Sequence, residues 1–199
     1  IHLGALIQGN LVHEEKNIHT LIEALEKFYK LNQWLPEIQW VGRIDDIKYY
    51  EFCNKLIEKN DNIVGIKDAT GDLNKGIDLI KNTPKDFHVI SGDDFTALDL
   101  VINGGSGVIS VVAGAFPSEF NKIVALVKEN KINEAKFQFK KIKIFIELLF
   151  KEGNPSGIKA LISIIGFCEN ILRLPLTPVS KSLYDEITES LKSFNKSML

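Results

Sequence analysis

The stretch NIVGIKDATGDL, residues 62–73, places one lysine, Lys67, directly after an apolar run that includes Ile63, Val64 and Ile66. A lysine amine adds to a carbonyl carbon only as the neutral base, and an apolar, partly desolvated site favours that form by penalising the ammonium. Ligands of parallel α/β folds bind at the carboxyl ends of strands, so a lysine ending a strand suits Schiff-base chemistry. A second reading stays open, in which the Lys67 ammonium snorkels to pair with Asp68 or Asp72. The turn that follows is readable as structure alone. Thr70 or Asp72 can cap the next helix, and Gly71 can make the turn.

Other chemically capable residues have plainer readings. Asp93 and Asp94 resemble a carboxylate pair but stand where they can cap a following helix. GGSG, residues 104–107, lacks the Lys-Ser/Thr of a phosphate cradle and is expected to end a helix. His2, His13, His19 and His88 have no ligand spacing, so no metal site is expected. Cys53 and Cys168 lie far apart in apolar helical patterns and read as free thiols. Phe137, Phe139, Phe145 and Phe150 read as a helix face used for core or subunit packing.

The elements that must position Lys67 alternate. LGALIQG, EIQWVG, NIVGIK, FHVIS and GVISVV read as strands, and each is followed by a helical pattern. In the first helix, NIHTLIEALEKFYKL, Ile18, Leu21, Ile22, Leu25 and Phe28 share a face; the third closes at Pro84, and the fifth carries Pro117 near its first turn. Five such strand–helix units predict a parallel sheet covered by helices. Beyond about Lys131 the pattern is helical only, in INEAKFQFKKIKIFIELLF, NPSGIKALISIIGFC and KSLYDEITESLKSF. The 199 residues are 45% hydrophobic, enough for a substantial core, and the net charge of −2 gives no reason to expect nucleic acid or an anionic membrane as partner. No apolar run reaches bilayer-spanning length, and the opening IHLGALIQGN, without Met or a basic leader, reads as a chain entered partway through.

Four motifs carry a resemblance. NIVGIKDATGDL, VISGDDFTALDLVINGGSGVISV, EGNPSGIKALISIIGF and LRLPLTPVS are together similar to the dihydrodipicolinate synthase family, pyruvate-dependent Schiff-base lyases that also include N-acetylneuraminate lyase. The resemblance runs from about Asn62 to the carboxyl terminus. It implies a (β/α)8 barrel with a helical extension, of which this sequence supplies about five βα units. By motif, Lys67 is implied as the Schiff-base lysine, and Gly92 and Ile109 as residues whose backbone lines the pyruvate pocket. The implied reaction condenses pyruvate, held as the imine, with aspartate 4-semialdehyde in the diaminopimelate route to lysine. It needs no metal or organic cofactor, because the imine is the electron sink. A cytoplasmic homo-oligomer is implied as well.

Residues 1–60 fit this pattern less closely. The tyrosine-containing runs expected ahead of the lysine strand are replaced by LIQGNLV and IQWVGRIDD, and Arg43 falls within about one residue of the arginine that would bind the aldehyde's carboxylate. Arg43 also reads as a solvated loop residue, and Tyr49 and Tyr50 as packing residues on a helix. IQGNLVHEEKNIHTLIEALEKF is also similar to the opening of the nucleotide-sugar domain of GT-B glycosyltransferases, with Lys16 towards the donor diphosphate but Asn10 where an arginine is expected. The expected organisation is 1–60 as two βα units of uncertain origin, 61–130 as the carboxyl-terminal part of a barrel and 131–199 as three helices. Alternatives are a half-barrel or hybrid without turnover, and a sugar-nucleotide-binding amino end. A five-stranded piece cannot close a barrel alone, so pairing through its edges is a further expectation.

Overall fold

The computed structural model of the chain describes residues 5–8, 24, 27, 30, 31, 38–42 and 64–198. It divides into two units, 1–109 and 110–199. The first contains a parallel sheet of β1 (Ala5–Gln8), β2 (Ile38–Gly42), β3 (Gly65–Asp68), β4 (His88–Ser91) and β5 (Gly107–Val108), in the order β1-β2-β3-β4-β5. Every neighbouring pair is parallel, so each connection must cross over, which is how successive βα units extend a barrel wall. All five expected strands are present. The chain is an α/β fold of the partial (β/α)8 type, and its first two strands continue the same sheet as the lysine strand.

Two described helices cover one face of this sheet. α1 (Leu73–Asn82) begins at Asp72, whose carboxylate accepts the backbone N–H groups of Asn74 and Lys75 at 3.0 and 3.4 Å. Thr70 sits one step earlier, its hydroxyl accepting the Asp72 N–H at 3.1 Å. α1 ends at Thr83, before Pro84, as the sequence predicts. α2 (Ala97–Ile102) stops in the GGSG segment, where Gly104 takes φ of +106°, a conformation that a side chain disfavours. The segment donates back into α2, from Gly104 N–H to Val101 and from Gly105 N–H to Leu100, so it serves helix termination. Leu79 from α1 and Leu98, Leu100 and Val101 from α2 are buried with Ile66 and Val89 of the sheet. The helical residues Ala24, Lys27, Lys30 and Leu31 are exposed, at the spacing of one helix face.

The last strand differs from expectation. GVISVV predicts a full strand, but only Gly107 and Val108 pair with β4. In the second unit the Ser110 hydroxyl accepts the Ala113 N–H at 2.9 Å, and Val112–Gly114 form a 3₁₀ turn. An apolar run alone does not distinguish a buried turn from a buried strand.

The second unit is helical: α3 (Pro117–Lys128), α4 (Ile132–Phe150), α5 (Ser156–Ile165) and α6 (Lys181–Met198). Pro117 occupies the first helical position of α3, where a missing N–H costs no helix bond. Phe116, Phe145 and Phe194 meet at the centre, with ring centroids 4.7 Å apart for Phe116–Phe145, 5.2 Å for Phe116–Phe194 and 5.5 Å for Phe145–Phe194. Ile142, Ile146, Leu149, Leu161, Leu183 and Ile187 complete this core. The expected phenylalanine face is only partly present. Phe145 is buried and Phe139 packs edge-on against Phe120, whereas Phe137 is 61% exposed with the Lys141 ammonium over its ring. Residues 137 and 139 are two apart on a helix, so their side chains diverge and cannot share a face. α5 ends at Gly166, with φ of +94°, so Cys168 falls past the helix rather than in it and is a free thiol. Cys53 lies outside the described residues.

Candidate active site

Strand parity assigns the faces. Ile66 and Asp68 are in register with Val89 and Ser91, and all four are buried, at 1 to 6% exposure. Side chains alternate along a strand, so Gly65 and Lys67, with their partners His88 and Ile90, belong to the opposite face, which α1 and α2 leave open. Lys67 is the penultimate residue of β3 rather than its last, because Asp68 also pairs, with Gly42. It remains at the carboxyl end of the strand and is half-buried.

Lys67 lines a cleft of about 70 Å3 with Val64, Gly65, Ile66, His88, Ile90 and Ile109. The walls next to it are aliphatic. Ile109 is 44% exposed there, and its N–H donates to Ser91 C=O at 2.8 Å, which holds the segment after β5 against the end of β4. Gly92 lies beside the lysine stem: a Cβ on Gly92 would collide with Lys67 Cε and stand 2.9 Å from its Cγ. Thus Lys67, Gly92 and Ile109 are brought together. Arg43 lies outside the described residues, as do Lys16, Asn10, Tyr49 and Tyr50.

The carboxylates nearest in sequence are otherwise engaged. Asp68 is on the buried face and accepts the Thr70 N–H at 3.0 Å, while Asp72 caps α1. Among the described residues Lys67 forms no ion pair, unlike Lys131 with Glu129, Lys151 with Glu186 and Lys192 with Glu189. Pairing of Lys67 with Asp68 or Asp72 is therefore not what the strand geometry produces. Asp93 accepts both the N–H and the hydroxyl of Thr96, each at 2.9 Å, in the turn ahead of α2. Thr96 is itself the helix cap, so Asp93 orders the entry turn instead of capping, and Asp94 is buried at 1% exposure. His88 pairs through Nδ1 with the Ser106 hydroxyl at 3.0 Å, and the described residues contain no cluster of three or more His, Cys, Asp or Glu able to hold a metal.

Sequence reasoning missed the contributions of Gly65, His88 and Ile90 to this cleft. The only local signal was the alternation within FHVIS once the parity of Lys67 is known; the register that aligns Gly65 with His88 is a property of strand pairing.

Comparison with known proteins places the chain in a family. The model of the dihydrodipicolinate synthetase family matches residues 47–194. The 4-hydroxy-tetrahydrodipicolinate synthase of Flavobacterium psychrophilum is 40% identical over 155 residues, covering 78% of this chain and 53% of the relative. The crystal structure of dihydrodipicolinate synthase from Aquifex aeolicus is similar with a TM-score of 0.78 at 26% identity, covering 89% of this chain and 61% of that one. The chloride-inhibited synthase of Acinetobacter baumannii, complexed with pyruvate, gives a TM-score of 0.73 at 25% identity, covering 98% of this chain and 75% of that one. The chain spans about half the length of the curated relatives it matches. With a matched segment that runs from before the lysine strand into the last helix, and a parallel sheet in which that strand is central, the chain belongs to the dihydrodipicolinate synthetase family.

Proposed function

We propose that this chain carries the lysine-bearing part of a 4-hydroxy-tetrahydrodipicolinate synthase, which condenses pyruvate with aspartate 4-semialdehyde. The carrying observation is the place of Lys67: at the carboxyl end of a central parallel strand, on the face without helices, beside aliphatic side chains and without a carboxylate partner among the described residues. In this reading the Lys67 amine adds to the ketone carbon of pyruvate, and loss of water gives the imine. Loss of a methyl proton then gives the enamine, whose carbon attacks the aldehyde, and hydrolysis of the imine frees the lysine. Gly92 and Ile109 flank pyruvate through their backbones, and Arg43 binds the carboxylate of the incoming aldehyde. Residues 61–130 contribute the carboxyl-terminal part of the barrel and 131–199 the helical extension.

The reading extends to a cytoplasmic homo-oligomer in diaminopimelate and lysine biosynthesis. Among the described residues no helix is long and apolar enough to cross a membrane, and β1 and β5 each have one described neighbour, which leaves edges for further strands or copies. The test is condensation by the full polypeptide, with the product followed by mass spectrometry. Product from the wild type and none from a folded Lys67→Ala variant supports the reading. Product that persists without Lys67, or its absence from folded wild type, overturns it.

A further inference from the structure

Gly92 occupies no turn that needs glycine. Its φ lies outside the left-handed region that sets Gly71, Gly104, Gly153 and Gly166 apart, so alanine is conformationally allowed there. Its position is nevertheless fixed, because its N–H donates to Asp68 C=O at 2.6 Å and ties the exit of β4 to the end of β3. The missing side chain leaves space, and the lysine stem fills it: a Cβ would overlap Lys67 Cε, approach Cγ to 2.9 Å and meet Ala69 Cβ at 3.0 Å. The atom in closest conflict is near the end of a flexible side chain, so the worst overlap is relieved by turning the lysine, and the Ala69 contact asks only for a few tenths of an ångström.

We infer that Gly92 is a positioning residue for Lys67: its missing Cβ opens the path along which the lysine side chain reaches its amine into the cleft. This goes beyond a backbone contact with pyruvate, since it assigns the role to absent volume and to the lysine as its beneficiary. The chemical consequence rests on Lys67 being the Schiff-base residue; the steric relation does not.

The test uses Gly92→Ala, Lys67→Ala and the double variant in the full chain. Reductive trapping of pyruvate on Lys67 by cyanoborohydride is expected to slow about a hundredfold in folded Gly92→Ala, the scale of effect that an ångström of misplacement produces. Thermal midpoints close a double-mutant cycle: the change caused by Gly92→Ala should shrink in the Lys67→Ala background to what the milder Ala69 contact leaves. A wild-type trapping rate in Gly92→Ala, or an equal change of midpoint in both backgrounds, overturns the inference. Should Gly92→Ala fail to fold, folding of the double variant supports the inference and its failure overturns it. If the wild type itself is not trapped, the Schiff-base reading fails, and the cycle still decides the steric relation.

Discussion

Gly65→Ala tests whether the lysine strand is held at the spacing the structure shows. A Cβ at residue 65 would lie 2.6 Å from His88 O and 2.8 Å from His88 Cβ. Nonbonded carbons rest at about 3.5–4.0 Å, so β3 and β4 must part by about an ångström. These neighbours are backbone and the root of a side chain, and neither can rotate away. Parting stretches the His88 N–H bond to Val64 C=O, now 2.8 Å, beyond hydrogen-bond length. Overpacking costs about 1–3 kcal/mol, a lost backbone bond about 1 kcal/mol, and the stiffer unfolded chain returns about 0.4–1 kcal/mol. The net expectation is a loss of about 1–3.6 kcal/mol, or about 2–14 °C in Tm for a chain of this size. Urea denaturation followed by circular dichroism measures the loss, and hydrogen exchange at the His88 amide locates it. Unchanged stability with an equally protected His88 amide would refute the strand spacing around Lys67.

In the helical unit, Phe145→Ala should cost about 3–5 kcal/mol, because the ring is fully buried between Phe116 and Phe194, whereas the exposed Phe137→Ala should stay within about 0.5 kcal/mol. Equal losses in denaturant melts would contradict the assignment of the two rings. The Ser180 hydroxyl and N–H donate to the Glu152 carboxylate at 2.5 and 2.7 Å and hold its pKa below the ordinary carboxylate value. A depressed folded pKa means that this contact stabilises above the unfolded pKa and is lost as pH falls through the folded one. Glu152→Gln should accordingly flatten the acid side of the stability–pH curve of the intact protein, and a curve of unchanged slope would count against the contact.

Much of this was legible locally. A charged residue ending an apolar run marks Lys67, and Thr70, Gly71 and Asp72 announce the turn and cap that follow it. The alternation of apolar runs and helical patterns gives the five parallel strands because each periodicity follows from which face is covered. What was not legible depends on pairing at a distance. The burial of Asp68, the alignment of Gly65 with His88 and the lysine stem lying against Gly92 come from the register of β3 with β4, which no local pattern encodes. The shortening of β5 and the outward Phe137 came from reading apolar content without the direction each side chain takes. Arg43 stands on spacing alone, since it lies outside the described residues.

The most direct test of the central claim is borohydride reduction of the protein with pyruvate, followed by peptide mapping. The account predicts one stoichiometric N-carboxyethyl adduct on Lys67, formed only with pyruvate present and absent from Lys67→Ala. Folded protein that leaves Lys67 unmodified, or that takes the adduct on another lysine, would contradict it.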